Sequence, residues 1–168
     1  CLKSEEPFTK GPVSLHDLSH LKGTTVLVTG ANGFIGSHLV DSLLSLDCNV
    51  HCLVRNSSNL RWLSSPKIQF HYVDLADPDF KIPNLPSIGF VFHCAGLTKA
   101  KNQDEYFDIN SRVCTTLYEQ CFAYKESIKG IVHLSSLAAA GPGKDGVLVD
   151  EATALNPITF YGQSKKAG

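Results

Sequence analysis

A doubly wound α/β fold on a parallel sheet is what this sequence predicts, on three observations. Short β-branched runs alternate with segments of helical period, the first run passes into a helix through glycines three residues apart, and small or polar residues gather just after each run. Strands that alternate with helices pair in parallel, because right-handed crossovers place helices on both faces of the sheet. The 168 residues suffice for one such unit, and 43% hydrophobic with 18% charged residues is ordinary globular composition.

Each element has its own signal. Thr24-Thr25-Val26-Leu27-Val28 reads as a short buried strand, and Phe34-Ile35 with Leu39-Val40 and Leu43-Leu44 gives the first helical period. Asn49 to Val54 reads as a second strand, Ser57 to Leu63 as a short helix and Ile68 to Val73 as a third strand. Pro78, Pro83 and Pro86 punctuate the stretch after it. Ile88 to Cys94 is a fourth strand, a long helix runs from about Asp104 to Tyr124, Ile131 to Ser135 is a fifth strand, and another helix starts near Tyr161. Residues 1–23 are polar, with Pro7, Gly11 and Pro12, and read as an N-terminal arm with a helical turn at Ser14 to Leu21; residues 24–168 form the α/β domain. The chain begins with Cys1, contains no methionine and stops at Gly168 inside a predicted helix, so a piece of a longer protein is expected.

Bulk properties narrow the partners. A formal charge of -1 gives no basic field for nucleic acid, and no apolar run is long enough to cross a membrane. Small molecules remain. The six cysteines, Cys1, Cys48, Cys52, Cys94, Cys114 and Cys121, form no CxxC pair and sit mostly in apolar segments, as reduced core thiols would. Without a secretory signal, a cytoplasmic protein is expected. Cys48, His51 and Cys52 suggest a metal only on paper, since strand alternation sends His51 and Cys52 to opposite faces; no metal is expected.

Ligands of doubly wound sheets bind outside the carboxyl ends of the strands. The first strand ends in Thr29-Gly30, and Gly30, Gly33 and Gly36 then form a turn into a helix. Such a turn lets a phosphate approach the backbone and meet free N–H groups at the helix N-terminus, so it reads as a pocket for a nucleotide pyrophosphate. The spacing is GxxGxxG rather than GxGxxG. The other strand ends offer Arg55, Asp74, His93-Cys94-Ala95-Gly96 and Ser135-Ser136. Tyr161 and Lys165 lie four apart, on one face of the last helix; Lys166 points elsewhere. A phenol titrates at about 10, so a neighbouring ammonium is what would let it exchange protons at neutral pH.

Together TGANGFIGSH at the first strand, HCAG at the fourth, an asparagine in the next helix, SSLAAAG after the fifth and YGQSK resemble the extended short-chain dehydrogenase/reductase superfamily, and within it the NAD(P)-dependent epimerase/dehydratase family. The resemblance spans about Thr24 to Lys165 and implies a Rossmann-type domain cut short before a C-terminal substrate region. It implies four catalytic residues. Tyr161 exchanges a proton with the reacting carbinol or ketone, Lys165 binds the nicotinamide ribose, Ser136 holds the substrate oxygen and Asn110 supports the lysine. Ser136 is chosen over Ser135 for its offset of five from Gly141. The lesser alternative for Ser136 is a serine that caps backbone groups, and Asn110 could be a plain helix-surface amide.

For the cofactor the resemblance implies contacts from Gly30, Asn32, Gly33, Phe34, Ile35 and Gly36 in the first motif, with Asp74 and Leu75 at adenine. Ala95 and Gly96 would lie along the cofactor, joined by Tyr161 and Lys165. Aspartate after a strand is also a common turn former. His93 and Cys94 read as packing residues, and His71 and His133 as satisfied core histidines. The cofactor is NAD(P), with NADP favoured: the second strand ends in Arg55 where an acidic residue would mark NAD, although an arginine there can also stack on adenine.

Nucleotide-sugar 4,6-dehydratases of the superfamily carry a carboxylate just after the catalytic Ser or Thr, whereas this chain reads Ser136-Leu137, which disfavours elimination. Hydride transfer at a C–OH or C=O of a nucleotide-sugar or small carbonyl compound is the leading expectation. A dihydroflavonol-reductase-like or 3β-hydroxysteroid-dehydrogenase-like ketone reductase is one alternative, and a non-catalytic dinucleotide-binding sensor module another. The helix from Asp104 and the one near Tyr161 pair in dimeric relatives, which makes a homodimer an expectation by resemblance.

Overall fold

Residues 15–143 and 148–168 are described by a computed structural model of the chain. The expected arm lies mostly outside them, and its described end, Leu15–Leu21, forms a 3-10 turn. Five parallel strands stand in the order β3-β2-β1-β4-β5: β1 (Thr25–Thr29), β2 (Asn49–Val54), β3 (Gln69–Tyr72), β4 (Phe90–His93) and β5 (Gly130–His133). The chain runs outward from β1 to β3 and then crosses to β4 on the other side of β1, so the loops after β1 and β4 open a crevice at the carboxyl ends.

Alternation along the strands divides the core. Val26, Val28, Val50, Cys52 and Val54 face α1 (Phe34–Ser45), which buries Val40 and Leu43 against them. Leu27, Leu53 and Val91 face the opposite way, toward Val113, Leu117 and Cys121 of α3 (Val113–Cys121). Helices thus cover both faces, as the hydrophobic pattern predicts. His51 and Cys52 part across the sheet; His51 Nδ1 pairs with His71 Nε2 at 2.8 Å.

Three local readings are refined. The short helix expected at Ser57 to Leu63 does not form: residues 55–68 are turns, because Ser58, Asn59 and Ser65 side chains accept from the backbone N–H groups of Arg55, Arg61 and Lys67 and so compete with helical bonding. The long helix from Asp104 is segmented, with α2 (Gln103–Phe107), a π-helical turn (Asp108–Arg112), α3 and a 3-10 turn (Phe122–Tyr124) end to end. A one-turn helix, α4 (Leu137–Ala140), follows β5 before α5 (Phe160–Ala167). The thiols stand as expected: Cys48, Cys52, Cys114 and Cys121 are buried and free, Cys94 is free and half-buried, and Cys1 lies outside the described residues.

Candidate active site

The glycine turn is fixed by contact, not only by propensity. Gly30 takes φ +66°, and a Cβ there would stand 2.5 Å from the backbone N of Ala95. A Cβ on Gly36 would stand 2.2 Å from Gly30 O, so the first turn of α1 lies directly on the end of β1. Gly33 caps α1 without a side-chain acceptor for the first-turn N–H groups.

A cleft of about 730 Å³ opens beside this turn, within the range of ligand sites. Gly30, Asn32 and Gly33 line it from β1, Arg55 from the end of β2, Asp74 and Leu75 from beyond β3, and Ala95 and Gly96 from beyond β4. Eight of the residues read as cofactor-binding therefore meet in one cavity. Phe34 and Ile35 do not line it; they stand exposed at the start of α1, while Gly36 is buried under the turn. Asp74 also makes its turn, Oδ1 accepting from Ala76 N at 3.0 Å.

A second cleft, of about 740 Å³, lies past β5 and is lined by Ser136, Leu137, Lys165 and His133. Gly96 of the first cleft lies near Lys165 of the second: a Cβ on Gly96 would come 3.3 Å from Asn110 Oδ1 and 3.6 Å from Lys165 Nζ. A side chain there would press on Asn110 Oδ1 and touch the lysine. Ser136 caps α4 by accepting from Ala138 N at 3.2 Å, and its hydroxyl hydrogen stays available to a ligand. α5 packs tightly on α4, since a Cβ on Gly162 would meet Ala138 O at 2.2 Å. Thr159 caps α5 through Gly162 N, and the helix carries Tyr161 half-buried, its ring 6.0 Å from that of Tyr106. Lys166 turns outward to Leu155 O.

Asn110 is not a surface amide. It is fully buried on the π-helical turn, and its side chain accepts from Leu97 N at 2.7 Å and donates to Leu97 O at 2.9 Å and to Ser164 Oγ at 3.0 Å. It thereby ties the loop after β4 to α5, at the residue next to Lys165. A π-helical turn is a common device for aiming one side chain out of a regular helix.

Lys165 is only 5% exposed. Burial lowers its pKa, partly opposed by the Cys114 and Cys94 thiols. Its Nζ lies 3.2 Å from His133 Nε2, and His133 Nδ1 lies 2.5 Å from Tyr118 Oη. His93, beneath, is engaged by Thr29 Oγ1 at 2.6 Å and by Cys114 Sγ at 3.4 Å, and burial first, then His133 and Lys165, lowers it to about 3. Sequence reasoning places His133 among satisfied core histidines. Satisfied it is, but by the very lysine of the candidate site, and only its position two residues before the Ser-Ser pair could hint at this. His93, Cys114 and His133 bring one ligand atom each within 4.8 Å of one another, yet Lys165 Nζ already stands 3.2 Å from His133 Nε2 and burial raises the pKa of the Cys114 thiol, which does not suit a cation.

The profile of the NAD dependent epimerase/dehydratase family matches residues 26–168. The chain belongs to that family. Among curated relatives, it is 31% identical over 148 residues to the UDP-glucose 4-epimerase of Streptococcus mutans, a match covering 83% of this chain and 44% of the relative. It is 28% identical over 156 residues to the mouse sterol-4-alpha-carboxylate 3-dehydrogenase, decarboxylating, covering 89% of this chain and 40% of the relative. A crystal structure of a UDP-galactose 4-epimerase superposes with a TM-score of 0.73 at 28% identity, covering 86% of this chain and 48% of that one. The chain spans about half the length of the family members it matches. The parallel five-stranded sheet is thus the dinucleotide-binding architecture of the family, as the motifs implied. No described helix is long and apolar enough to cross a membrane.

Proposed function

We propose that this chain is the cofactor-binding half of an NAD(P)-dependent oxidoreductase of epimerase type, acting at a C–OH or C=O of a nucleotide-sugar or small carbonyl substrate. The observation that carries the reading is a buried lysine one helical turn beyond Tyr161, which lines the cleft that holds Ser136 and lies beside Gly96 of the glycine-turn cleft. The glycine turn suits a diphosphate, because Gly30, Gly33 and Asn32 line the cleft beside it and the first turn of α1 is left uncapped by any side chain. Gly30, Gly33 and Asp74 would hold the dinucleotide; when bound, it supplies the hydride donor or acceptor.

Each protein group then has a bounded task. The Ser136 hydroxyl orients the substrate oxygen. Tyr161 gives or takes the proton at that oxygen, and Lys165 binds the nicotinamide ribose. Asn110 fixes the helix that carries both. Leu137, 83% exposed, stands where an eliminating enzyme would need an acid, so the chemistry stops at oxidation and reduction.

A ketone reductase acting on a lipophilic substrate is the second reading, favoured by the exposed apolar Leu137, Ile158 and Phe160 around Ser136 and Tyr161. UDP-galactose and a 3-ketosteroid, each offered to the full-length gene product, separate the two. Interconversion of UDP-galactose without net NADH points to the epimerase; steady NADPH consumption with the ketosteroid points to the reductase. In either assay Tyr161→Phe is expected to lower turnover by about 10²- to 10⁴-fold with NADH affinity little changed. No turnover of either substrate, with cellular function intact in Tyr161→Phe, would hand the site to a non-catalytic dinucleotide sensor. A homodimer pairing α3 and α5 between copies is proposed as well, and a monomer in gel filtration would remove it.

A further inference from the structure

Among the described residues no carboxylate bonds to Lys165; the side chain hydrogen-bonded to its ammonium is His133, and that contact is itself constrained. Ammonium groups only donate, so Nε2 of His133 must present its lone pair to Lys165 Nζ across the 3.2 Å that separates them. A neutral imidazole with a free Nε2 carries its proton on Nδ1, which must then donate to Tyr118 Oη, 2.5 Å away. We propose that His133 is a positioning residue for Lys165, with Tyr118 selecting the tautomer that makes His133 an acceptor. The proposal rests on the reading of Lys165 as a cofactor-binding lysine.

The alternatives fail on geometry. A doubly protonated His133 would set two cations 3.2 Å apart in a buried place, and both burial and Lys165 hold its pKa below the usual imidazole range. The opposite tautomer would point Nε2–H at an ammonium that has no lone pair. His93 packs edge-on against the His133 ring, centroids 5.3 Å apart at 67°, and so limits its rotation. The titratable groups near Lys165 are His93 and Cys94 from β4 and its end, Cys114 from α3 and His133 from β5, with Tyr118 behind His133 and Asp150 and Glu151 lining the same open cleft. His133 is the one whose lone pair is aimed at Nζ.

Positioning through a selected tautomer is similar in logic to the second partner of a metal-bound histidine, which fixes the ring nitrogen that binds. Here the bound group is an ammonium. Losing the acceptor leaves a buried charge less well satisfied, so Lys165 should give up its proton at lower pH.

The test measures NADH and NADPH affinity by fluorescence from pH 7 to 10 on the full-length protein. Wild type is expected to lose affinity on the alkaline side as Lys165 discharges, and Lys165→Ala to abolish that pH dependence. His133→Leu should move the midpoint down by about one pH unit and weaken binding about fivefold at pH 8. His133→Gln, whose amide oxygen can accept from Nζ, should restore the midpoint, which a merely structural role would not. Tyr118→Phe should move it about half as far as His133→Leu, and it carries the test should His133→Leu not fold. A midpoint unmoved in Tyr118→Phe and His133→Leu, with Lys165→Ala still abolishing the pH dependence, overturns the proposal alone. Absence of dinucleotide binding, or a pH dependence that survives Lys165→Ala, overturns the cofactor reading and the proposal with it.

Discussion

The cleft beside Gly30 and the cleft beside Lys165 are made of different material. In the first, backbone excludes backbone: the turn closes on Ala95, the helix sits on Gly30 O, and the only side chains needed are ones that reach in from strand ends. In the second, a buried lysine is held by hydrogen bonds among Asn110, Ser164, His133 and Tyr118, drawn from four elements. A backbone-built site is rigid and indifferent to pH. A side-chain-built site can be tuned, and it can be broken one bond at a time.

Gly30→Ala should produce the largest effect. The new methyl would meet Ala95 N at 2.5 Å from a residue already at φ +66°, so turn or β4 loop must move, at a cost of about 3 kcal/mol or more. Binding of NADH should vanish while Tyr161 and Lys165 stay intact. If affinity survived within about threefold, the turn would be pliable and the contrast between the clefts would dissolve.

Asn110→Ala tests the other half. It strips partners from Leu97 N–H and Leu97 O, and loses the bond to Ser164, for a cost of about 2–3 kcal/mol in urea denaturation. The expected signature differs from that of Gly30→Ala, with dinucleotide affinity reduced modestly and turnover reduced strongly. An exposed control such as Asn59→Ala should lie within about 0.5 kcal/mol of wild type.

The same division decides what can be read from the chain. The glycine turn is legible because its requirement is local: no other residue type serves, and strand and helix flank it immediately. Arg55, Asp74 and Ala95 are legible at one remove, since a parallel sheet sends every strand end to the same crevice. What local pattern cannot show are bonds between residues far apart, such as His133 to Lys165 or Tyr118 to His133, because each partner alone looks like core packing. Asn110 falls between, visible as a helix position but with its burial invisible until a π-helical turn shifts the helix register. The helix expected from Ser57 to Leu63 fails for the converse reason: its apolar spacing is right, but serine and asparagine side chains take the backbone bonds a helix would need.

Acid should separate the two clefts without mutation. Burial, then His133 and Lys165, lower His93 to about 3, while in an unfolded chain it titrates near 6.5. Between those values the unfolded chain carries a proton that the native state refuses. Stability is therefore complete above about pH 6.5 and drains as pH falls toward 3, by up to about 1.4 kcal/mol per pH unit from this residue. His51, His71 and His133 are lowered by burial too and add to the slope. Urea midpoints at pH 7, 6 and 5 should fall in sequence, and His93→Gln should flatten the fall. An unchanged slope in that variant would mean that His93 is not what makes this region acid-sensitive.

The smallest effect belongs to Arg55, the cation that the backbone-built cleft takes from the end of β2. It stands exposed there, its N–H held by Ser58 Oγ at 3.0 Å, so the guanidinium is free to reach into the cleft. A guanidinium pairs with a 2′-phosphate in a forked geometry, but solvent screens an exposed pair, which limits the gain to about 1 kcal/mol. Arg55→Ser should therefore weaken NADPH by about five- to tenfold and leave NADH within about twofold. Equal losses for both dinucleotides would mean instead that the arginine stacks on adenine, which both carry, and preference for NADP would have to be given up. Either result leaves the glycine turn untouched, because it is built from backbone that no side-chain substitution at the end of β2 can rearrange.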